Sequence, residues 1–140
     1  MKSIDLMIQV NKSILEEKRR DLALVINEEE VIENKINKLE IELKREQLYS
    51  KRNLEIKLYL ESFAREVRRK TKLLNNDLSK LRLILEKLRE QVSRAYVELR
   101  KFEITKENQQ KKEIIESERL ERIELDEISI NMHRRKGKGF

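Results

Sequence analysis

Apolar residues recur along the first third of the chain in alternating steps of three and four residues. The series has twelve positions, of which nine are apolar: Ile4, Ile8, Asn11, Leu15, Lys18, Leu22, Val25, Glu29, Ile32, Ile36, Leu39 and Leu43. This spacing keeps one face of a helix turned toward a partner helix, as in a coiled coil. It predicts a first helix over about residues 3–49 with a continuous apolar seam.

The seam then stops and restarts further along the chain. Four consecutive positions in the same register are polar: Glu46, Ser50, Asn53 and Lys57. The apolar series resumes at Leu60, is expected to slip by one residue near Lys70 and Thr71, and contains Leu60, Phe63, Val67, Leu74, Leu78, Leu81, Leu85, Leu88, Val92, Ala95, Leu99 and Phe102. The pattern predicts a turn at about 50–56 and a second helix over about 57–132.

Past Phe102 the second seam becomes sparse. Its next positions are polar, and it resumes only at Leu120, Ile123 and Ile130. Folding the chain back at the predicted turn sets Leu43 near Phe63, Val25 near Leu81 and Ile4 near Phe102. The second seam therefore turns polar where the first helix has no residues left to cover it.

This coincidence favours an all-α fold, an antiparallel two-helix coiled-coil hairpin with a C-terminal helical overhang. The alternative is one unbroken helix that dimerises with a second copy. The absence of a Gly, Pro or Asn-Gly turn signal in the body of the chain favours that alternative.

The composition agrees with long helices and excludes a thick core. Charged residues make up 43% of the chain and aromatic residues only 4%, which is typical of coiled coils. Both glycines, Gly137 and Gly139, lie near the end of the chain, so residues 133–140 are expected to be a disordered basic tail. Cysteine is absent, which excludes disulfides and thiolate chemistry.

We expect no catalytic residue, no cofactor site and no metal site, and hence no enzyme. His133 is the only histidine, so no second imidazole or thiol completes a metal site of the usual kind. The carboxylates of 28–30 and 126–127 lack the water-excluding pocket that acid-base catalysis needs. No glycine loop that would hold a phosphate occurs, and the apolar runs are too short to cross a bilayer, which predicts no direct membrane insertion.

Positive charge is concentrated after the predicted turn. Residues 50–102 contain fifteen Lys and Arg against seven Asp and Glu. Within them lies a mixed aromatic and basic set: Tyr59, Leu60, Phe63, Arg65, Arg68 and Arg69. Such a mixture suits an acidic protein surface better than nucleic acid. A nucleic-acid-associated coiled coil is the alternative, suggested by the pI near 9.5, and its affinity would fall steeply with salt.

Three stretches of the chain resemble a known family. They are LYLESFAREVRRK (58–70), VSRAYVELRKFE (92–103) and ERLERIELDEISINMHRRK (118–136), which resemble corresponding stretches of the flagellar export protein family FliJ. The first helix resembles that family only in its heptad character. Several members carry tryptophans that this chain lacks, and Tyr96 and Phe102 lie in that neighbourhood.

The resemblance implies a soluble, cytoplasmic, stalk-like component of the flagellar type III export apparatus, peripheral at the cytoplasmic face of the membrane. It implies binding to the export ATPase ring through the terminal end, to the cytoplasmic domain of the export-gate membrane protein through the hairpin tip, and to export chaperones. Tyr59 and Phe63 match the family's aromatic residues after the turn. The C-terminal motif and its apolar neighbours supply the expected ATPase contact: Leu120, Ile123, Leu125, Asp126, Glu127 and Ile128. The stalk protein of a virulence-type injectisome is the closest alternative.

Overall fold

The computed structural model describes residues 3–49 and 54–138, and all of them are helical. Helix α1 spans Ser3–Tyr49 and helix α2 spans Leu54–Lys138. No strand occurs in these two ranges, and the helices pack against each other. The expected fold class, an all-α two-helix hairpin, is therefore confirmed, and the single unbroken helix is not.

Helix α2 is longer at both ends than the sequence pattern predicts. It begins at Leu54 instead of about residue 57, and the rest of the predicted turn, residues 50–53, lies outside the described residues. A polar seam position removes a packing contact but leaves the backbone free to be helical, so the seam's restart at Leu60 is a poor marker of the helix start.

At its other end α2 continues to Lys138, so residues 133–138 are helical, not disordered as expected. Arg134, Arg135 and Lys136 are good helix formers, and their positive charges interact favourably with the C-terminal end of the helix dipole. A single Gly137 costs only about 1 kcal/mol of helix propensity. Residues 139–140 lie outside the described part of the chain.

The chain divides into two compact units, and the larger one comprises residues 13–96. In this unit α1 and α2 run antiparallel: Arg82 of α2 meets Glu29 and Glu33 of α1, and Leu43 shares a groove with Val67. Its most buried side chains are Leu15, Ala64, Val67, Leu78 and Leu85. Other seam residues of α1, from Leu22 to Leu43, are half-buried, as the heptad pattern predicts.

The second unit is formed by the first residues of α1 and by α2 from Val97 onward. Ile8, Asn11 and Leu99 are buried in it, and the Lys106 Nζ lies 2.6 Å from an Asp5 carboxylate oxygen. From residue 107 to residue 137 every side chain is exposed. The predicted C-terminal overhang is thus confirmed, and we use "overhang" for residues 107–137.

The predicted pairing of the two helices is wrong by about one helical turn. Leu43 lines one groove with Val67 and Thr71, which lie one to two turns further along α2 than the expected partner Phe63. Near the first part of α1, Asp5 pairs with Lys106, further along α2 than the expected partner Phe102. The expectation counted pairs outward from the middle of the polar gap in the seam, and that count does not fix which residues of the two helices lie level.

The expected one-residue slip in the α2 seam is also absent. The series Leu60, Ala64, Val67, Thr71 and Leu74 keeps alternating steps of four and three, and all five side chains are buried or half-buried. Sequence reasoning chose Phe63 because it is large and apolar. The small side chain of Ala64 occupies the seam position, and Phe63 is half-buried beside it.

Candidate protein-binding surfaces

The six residues predicted after the turn lie within residues 59–69 of α2, and we call them the aromatic-basic surface. At 3.6 residues per turn, Tyr59 and Phe63 lie on one side of the seam and Arg65 and Arg68 on the other. Tyr59 is 61% exposed, whereas Leu60 and Phe63 are half-buried. The rings of Tyr59 and Phe63 are stacked, with centroids 6.3 Å apart and planes inclined by 20°. This stacking follows from their separation by one helical turn. It leaves the Tyr59 ring as the main exposed aromatic group.

The three arginines of this surface differ in their surroundings. Arg69 donates two hydrogen bonds to the Glu66 carboxylate, at 2.6 Å and 3.1 Å. These bonds lower the pKa of Glu66 and raise the pKa of Arg69, so the positive charge of Arg69 is compensated locally. Arg65 and Arg68 form no ion pair within the described residues and line one groove with Leu60 and Ala64. The uncompensated charge of the surface therefore belongs to Arg65 and Arg68.

The second predicted set lies in the overhang, and all its members are exposed. Leu120 is 51% exposed, Ile123 42%, Leu125 62% and Ile128 54%. Asp126 and Glu127 are exposed as well. These are large apolar side chains on a helix that no described part of the chain covers.

The apolar residues of the overhang do not share one face. At 3.6 residues per turn, Leu120, Ile123 and Ile130 lie on one side of α2, in the register of the seam. Leu125 and Ile128 lie on roughly the opposite side. The expectation grouped them by proximity in sequence, and the helical period separates them. The overhang thus has two apolar stripes on two sides.

The overhang is acidic between its apolar residues. Residues 113–127 contain seven Asp and Glu but only two Arg. One of these, Arg119, donates to Glu116 at 2.7 Å and 3.2 Å, and this hydrogen bond lowers the pKa of the Glu116 carboxyl. Such a helix suits a partner with apolar pockets flanked by basic side chains.

Sequence reasoning missed a groove between the two helices of residues 13–96. It has a volume of about 400 Å³ and is lined by Lys35, Lys38, Leu39, Glu42, Lys70, Leu73 and Leu74. The sequence feature that could have indicated this groove is Leu73, an apolar residue directly before a seam position. In the described part of the chain no group of three or more acidic or histidine side chains is arranged to hold a metal ion. Nor does any described helix include a stretch sufficiently long and apolar to span a membrane.

Comparison with known proteins places these surfaces in a family. The model of the family described as Flagellar FliJ protein matches residues 1–138. The chain belongs to the FliJ family. Neither a curated protein nor a solved structure matches it.

Membership confirms the resemblance and extends it to the first helix. FliJ proteins are coiled-coil, non-catalytic components of flagellar protein export, so this chain is a protein-transport component. The exposed apolar and charged groups on α2 are accordingly candidate sites for other proteins of the FliJ export system.

Proposed function

We propose that the chain is a stalk-like adaptor that binds the export ATPase ring through its overhang and the cytoplasmic domain of the export gate through its aromatic-basic surface. It performs no chemistry itself. The observation that carries this proposal is the overhang, in which every side chain from residue 107 to residue 137 is exposed although several are large and apolar.

The energetic argument concerns the apolar side chains of the overhang. Burying one Leu or Ile side chain contributes about 1.5–3 kcal/mol of gross binding energy. The helix is already formed, so binding costs less ordering entropy than it would for a disordered segment. Apolar stripes on two sides suit a helix enclosed by partners, as in a ring, better than a helix lying on a flat surface. Asp126 and Glu127 orient the helix against basic groups.

The aromatic-basic surface supports the second contact. Tyr and Arg are the residues that most often dominate binding energy at interfaces, and here Tyr59, Arg65 and Arg68 are all exposed, with the two arginines on the other side of the seam from Tyr59. An acidic protein surface with an apolar centre complements them. We propose that the export gate supplies it, and that export chaperones are handled by the same adaptor at the cytoplasmic face of the membrane.

Of the alternatives, the family match favours a flagellar protein over an injectisome stalk. The spatial arrangement also opposes nucleic acid as the partner. Arg69 is neutralised by Glu66, and the overhang is acidic over residues 113–127.

Binding of the purified export ATPase, measured by calorimetry, tests the overhang contact. Leu120→Glu with Ile123→Glu alters one apolar stripe, and Leu125→Glu with Ile128→Glu alters the other. We expect each pair to weaken binding at least about tenfold, since buried unpaired charges cost several kcal/mol.

Gln109→Glu with Gln110→Glu is the matched control, because it adds the same charge to the overhang without removing an apolar side chain. It should bind as the parent does. Parental affinity in both apolar double variants would place the ATPase contact elsewhere on the chain.

A further inference from the structure

Outside the seam, each helix of residues 13–96 carries a second row that mixes apolar and charged residues. Each row lies one residue before the seam positions and keeps the same steps of three and four. The α1 row consists of Ile14, Glu17, Asp21, Leu24, Glu28 and Val31. The α2 row includes Leu73, Asp77, Lys80, Ile84, Lys87 and Arg94. Each row therefore follows a single side of its helix.

The apolar members of both rows are largely open to solvent. Leu24 is 62% exposed, Leu73 52%, Val31 52% and Ile84 49%. Isolated exposed apolar residues are ordinary on protein surfaces. Leu24 and Val31 are one heptad apart, and Leu73 and Ile84 lie on one side of α2 in steps of three and four, a placement typical of a contact face for another helix.

The two rows border the same face of this unit. The groove of about 400 Å³ is lined from α1 by Lys35 and Lys38, which continue the α1 row, and from α2 by Lys70 and Leu73. Leu39 and Leu74 of the seam also line it. Both rows thus lie beside one groove, and we call this side of the unit the groove face.

Charge is distributed unequally between the two edges of the groove face. The α1 row is acidic, with Glu17, Asp21 and Glu28, whereas the α2 row is mostly basic. Within the described residues these three carboxylates form no ion pair, and neither do Lys80 and Lys87. Elsewhere in the same unit the helices do form such pairs, since Arg82 reaches Glu33 at 3.2 Å. Arg94 of the α2 row lies 4.0 Å from Glu90, and the other charges just named are left without an ion pair in the described part of the chain.

We propose that the groove face is an isologous interface with a second copy of this chain, in which residues 13–96 of two copies form a four-helix bundle. Rotation of a second copy by half a turn about an axis parallel to the helices places each α1 over the α2 of the partner. The acidic row of one copy then meets the basic row of the other. Leu24, Val31, Leu73 and Ile84 fill the centre.

The levels of the helices bring opposite charges together along this interface. Within the chain Arg82 contacts both Glu29 and Glu33, so it lies level with the turn of α1 between them. Counting outward along antiparallel helices from that turn, Glu17 comes within about two residues of the level of the partner's Arg94. In the other direction, Lys35 comes level with the partner's Asp77. The charge of the α1 row therefore changes sign at the same level as the charge of the partner's α2 row.

The other way of placing two groove faces together matches fewer opposite charges. A two-fold axis perpendicular to the helices would set α1 against α1 and α2 against α2, so that the mostly basic α2 rows face each other and the carboxylates of α1 meet basic groups only at Lys35 and Lys38. Directly opposed like charges cost several kcal/mol. With the two-fold axis parallel to the helices, both edges of the groove face meet edges of opposite charge, as a self-complementary interface requires.

Sedimentation equilibrium over a range of concentrations tests the proposal. One variant reverses the acidic row (Glu17→Lys, Asp21→Lys, Glu28→Lys) and another reverses the basic row (Lys80→Glu, Lys87→Glu, Arg94→Glu). The parent should dimerise more weakly as NaCl is raised, because exposed charges are screened. Each variant alone should dimerise at least about tenfold more weakly. An equimolar mixture of the two should dimerise again, because both edges are then complementary.

The matched control is Glu16→Lys with Glu30→Lys and Glu40→Lys, which makes the same change of net charge one residue after the seam on α1. It should dimerise as the parent does. A second, uncharged variant, Leu24→Ser with Ile84→Ser, should weaken the dimer while leaving the seam intact, and its melting temperature should equal that of the parent at concentrations where both are monomeric. It serves if a reversal variant loses helicity.

A parent that is monomeric at every concentration, a control that loses association as fully as the acidic-row variant, or a mixture that stays monomeric would each overturn the proposal. None of these results bears on the overhang, which contributes no residue to the groove face.

Discussion

At the scale of single residues, the seam is shallow. No large described side chain is wholly shielded from solvent, and even Leu85, the most buried, is 3% exposed. Two helices cover only one side of each other, so most seam leucines are half-buried. The stability of the hairpin is consequently the sum of many partial burials, and it is sensitive to any charge placed in the seam.

Asn11 shows how this seam tolerates a polar residue. It is 8% exposed, and its side-chain amide donates a 2.7 Å hydrogen bond to the Met7 carbonyl one turn earlier. The bond is local, so Asn11 is satisfied without a partner on α2. Among the described side chains no buried polar atom lacks a hydrogen bond.

We predict that Leu85→Asp unfolds much of residues 13–96, whereas Leu83→Asp leaves their stability nearly unchanged. Leu85 is buried, and an unpaired carboxylate there costs several kcal/mol against a total stability of about 5–15 kcal/mol. Leu83 is 63% exposed, so the same substitution only adds charge to the surface. Thermal melting followed by circular dichroism compares the two. Equal loss of stability would mean that the seam is wrongly assigned.

At the scale of elements, α2 is a single helix whose seam is packed along its first part and exposed along its last part. Up to Lys106 its seam side chains are buried or half-buried, and beyond that residue none is. The overhang therefore depends on helix propensity and on local ion pairs such as Glu116 with Arg119. The exposed pair contributes only modestly, but it lies within a stretch that tertiary packing does not support.

We predict that the helix around Glu116 loses stability as the pH falls through the lowered pKa of that carboxyl. A depressed folded-state pKa means that the pair's contribution is complete above the unfolded-state value, about 4.3, and is lost at lower pH. Cα chemical shifts of residues 113–122, followed by NMR during acid titration, measure the loss.

The Glu116→Gln variant is the control for this titration, because it has no carboxyl at that position. It should show lower helicity at neutral pH and a smaller change on acidification. An identical titration in parent and variant would show that other carboxylates are responsible.

At the scale of the whole molecule, charge separates the proposed binding surfaces. Residues 1–49 contain nine Lys and Arg against eleven Asp and Glu, residues 50–102 fifteen against seven, and residues 103–140 nine against nine. The basic excess lies on the part of α2 that carries the aromatic-basic surface. The overhang is acidic up to residue 127. The two surfaces therefore suit partners of opposite charge.

We predict that Tyr59→Ala with Arg68→Glu weakens binding to the cytoplasmic domain of the export gate by about tenfold or more, while ATPase binding is retained. The pair removes the exposed aromatic ring and one uncompensated arginine without entering the seam. The matched control is Tyr96→Ala with Arg89→Glu, which makes the same exchange at exposed positions further along α2. Calorimetry at moderate salt measures both. Gate binding that falls equally in the control would show a response to net charge alone.

The sequence by itself determined the two helices, the seam of α1 and the uncovered overhang. These features depend on local periodicity, because alternating steps of three and four place residues on one side of a helix whatever the partner is. Every α1 position assigned to the seam, from Ile4 to Leu43, is buried or half-buried. The seam positions from 106 to 116 are all polar. They likewise mark the point where α1 no longer covers α2.

Only the tertiary structure decided which residues of the two helices lie level with each other. This pairing depends on where the chain reverses and on how closely the helices approach each other. A periodic sequence pattern specifies neither. The small Ala64 occupies the seam position where Phe63 was expected, and Thr71 removes the need for a slip. The groove beside Leu73 follows from the same packing, because it needs side chains from both helices to form its walls.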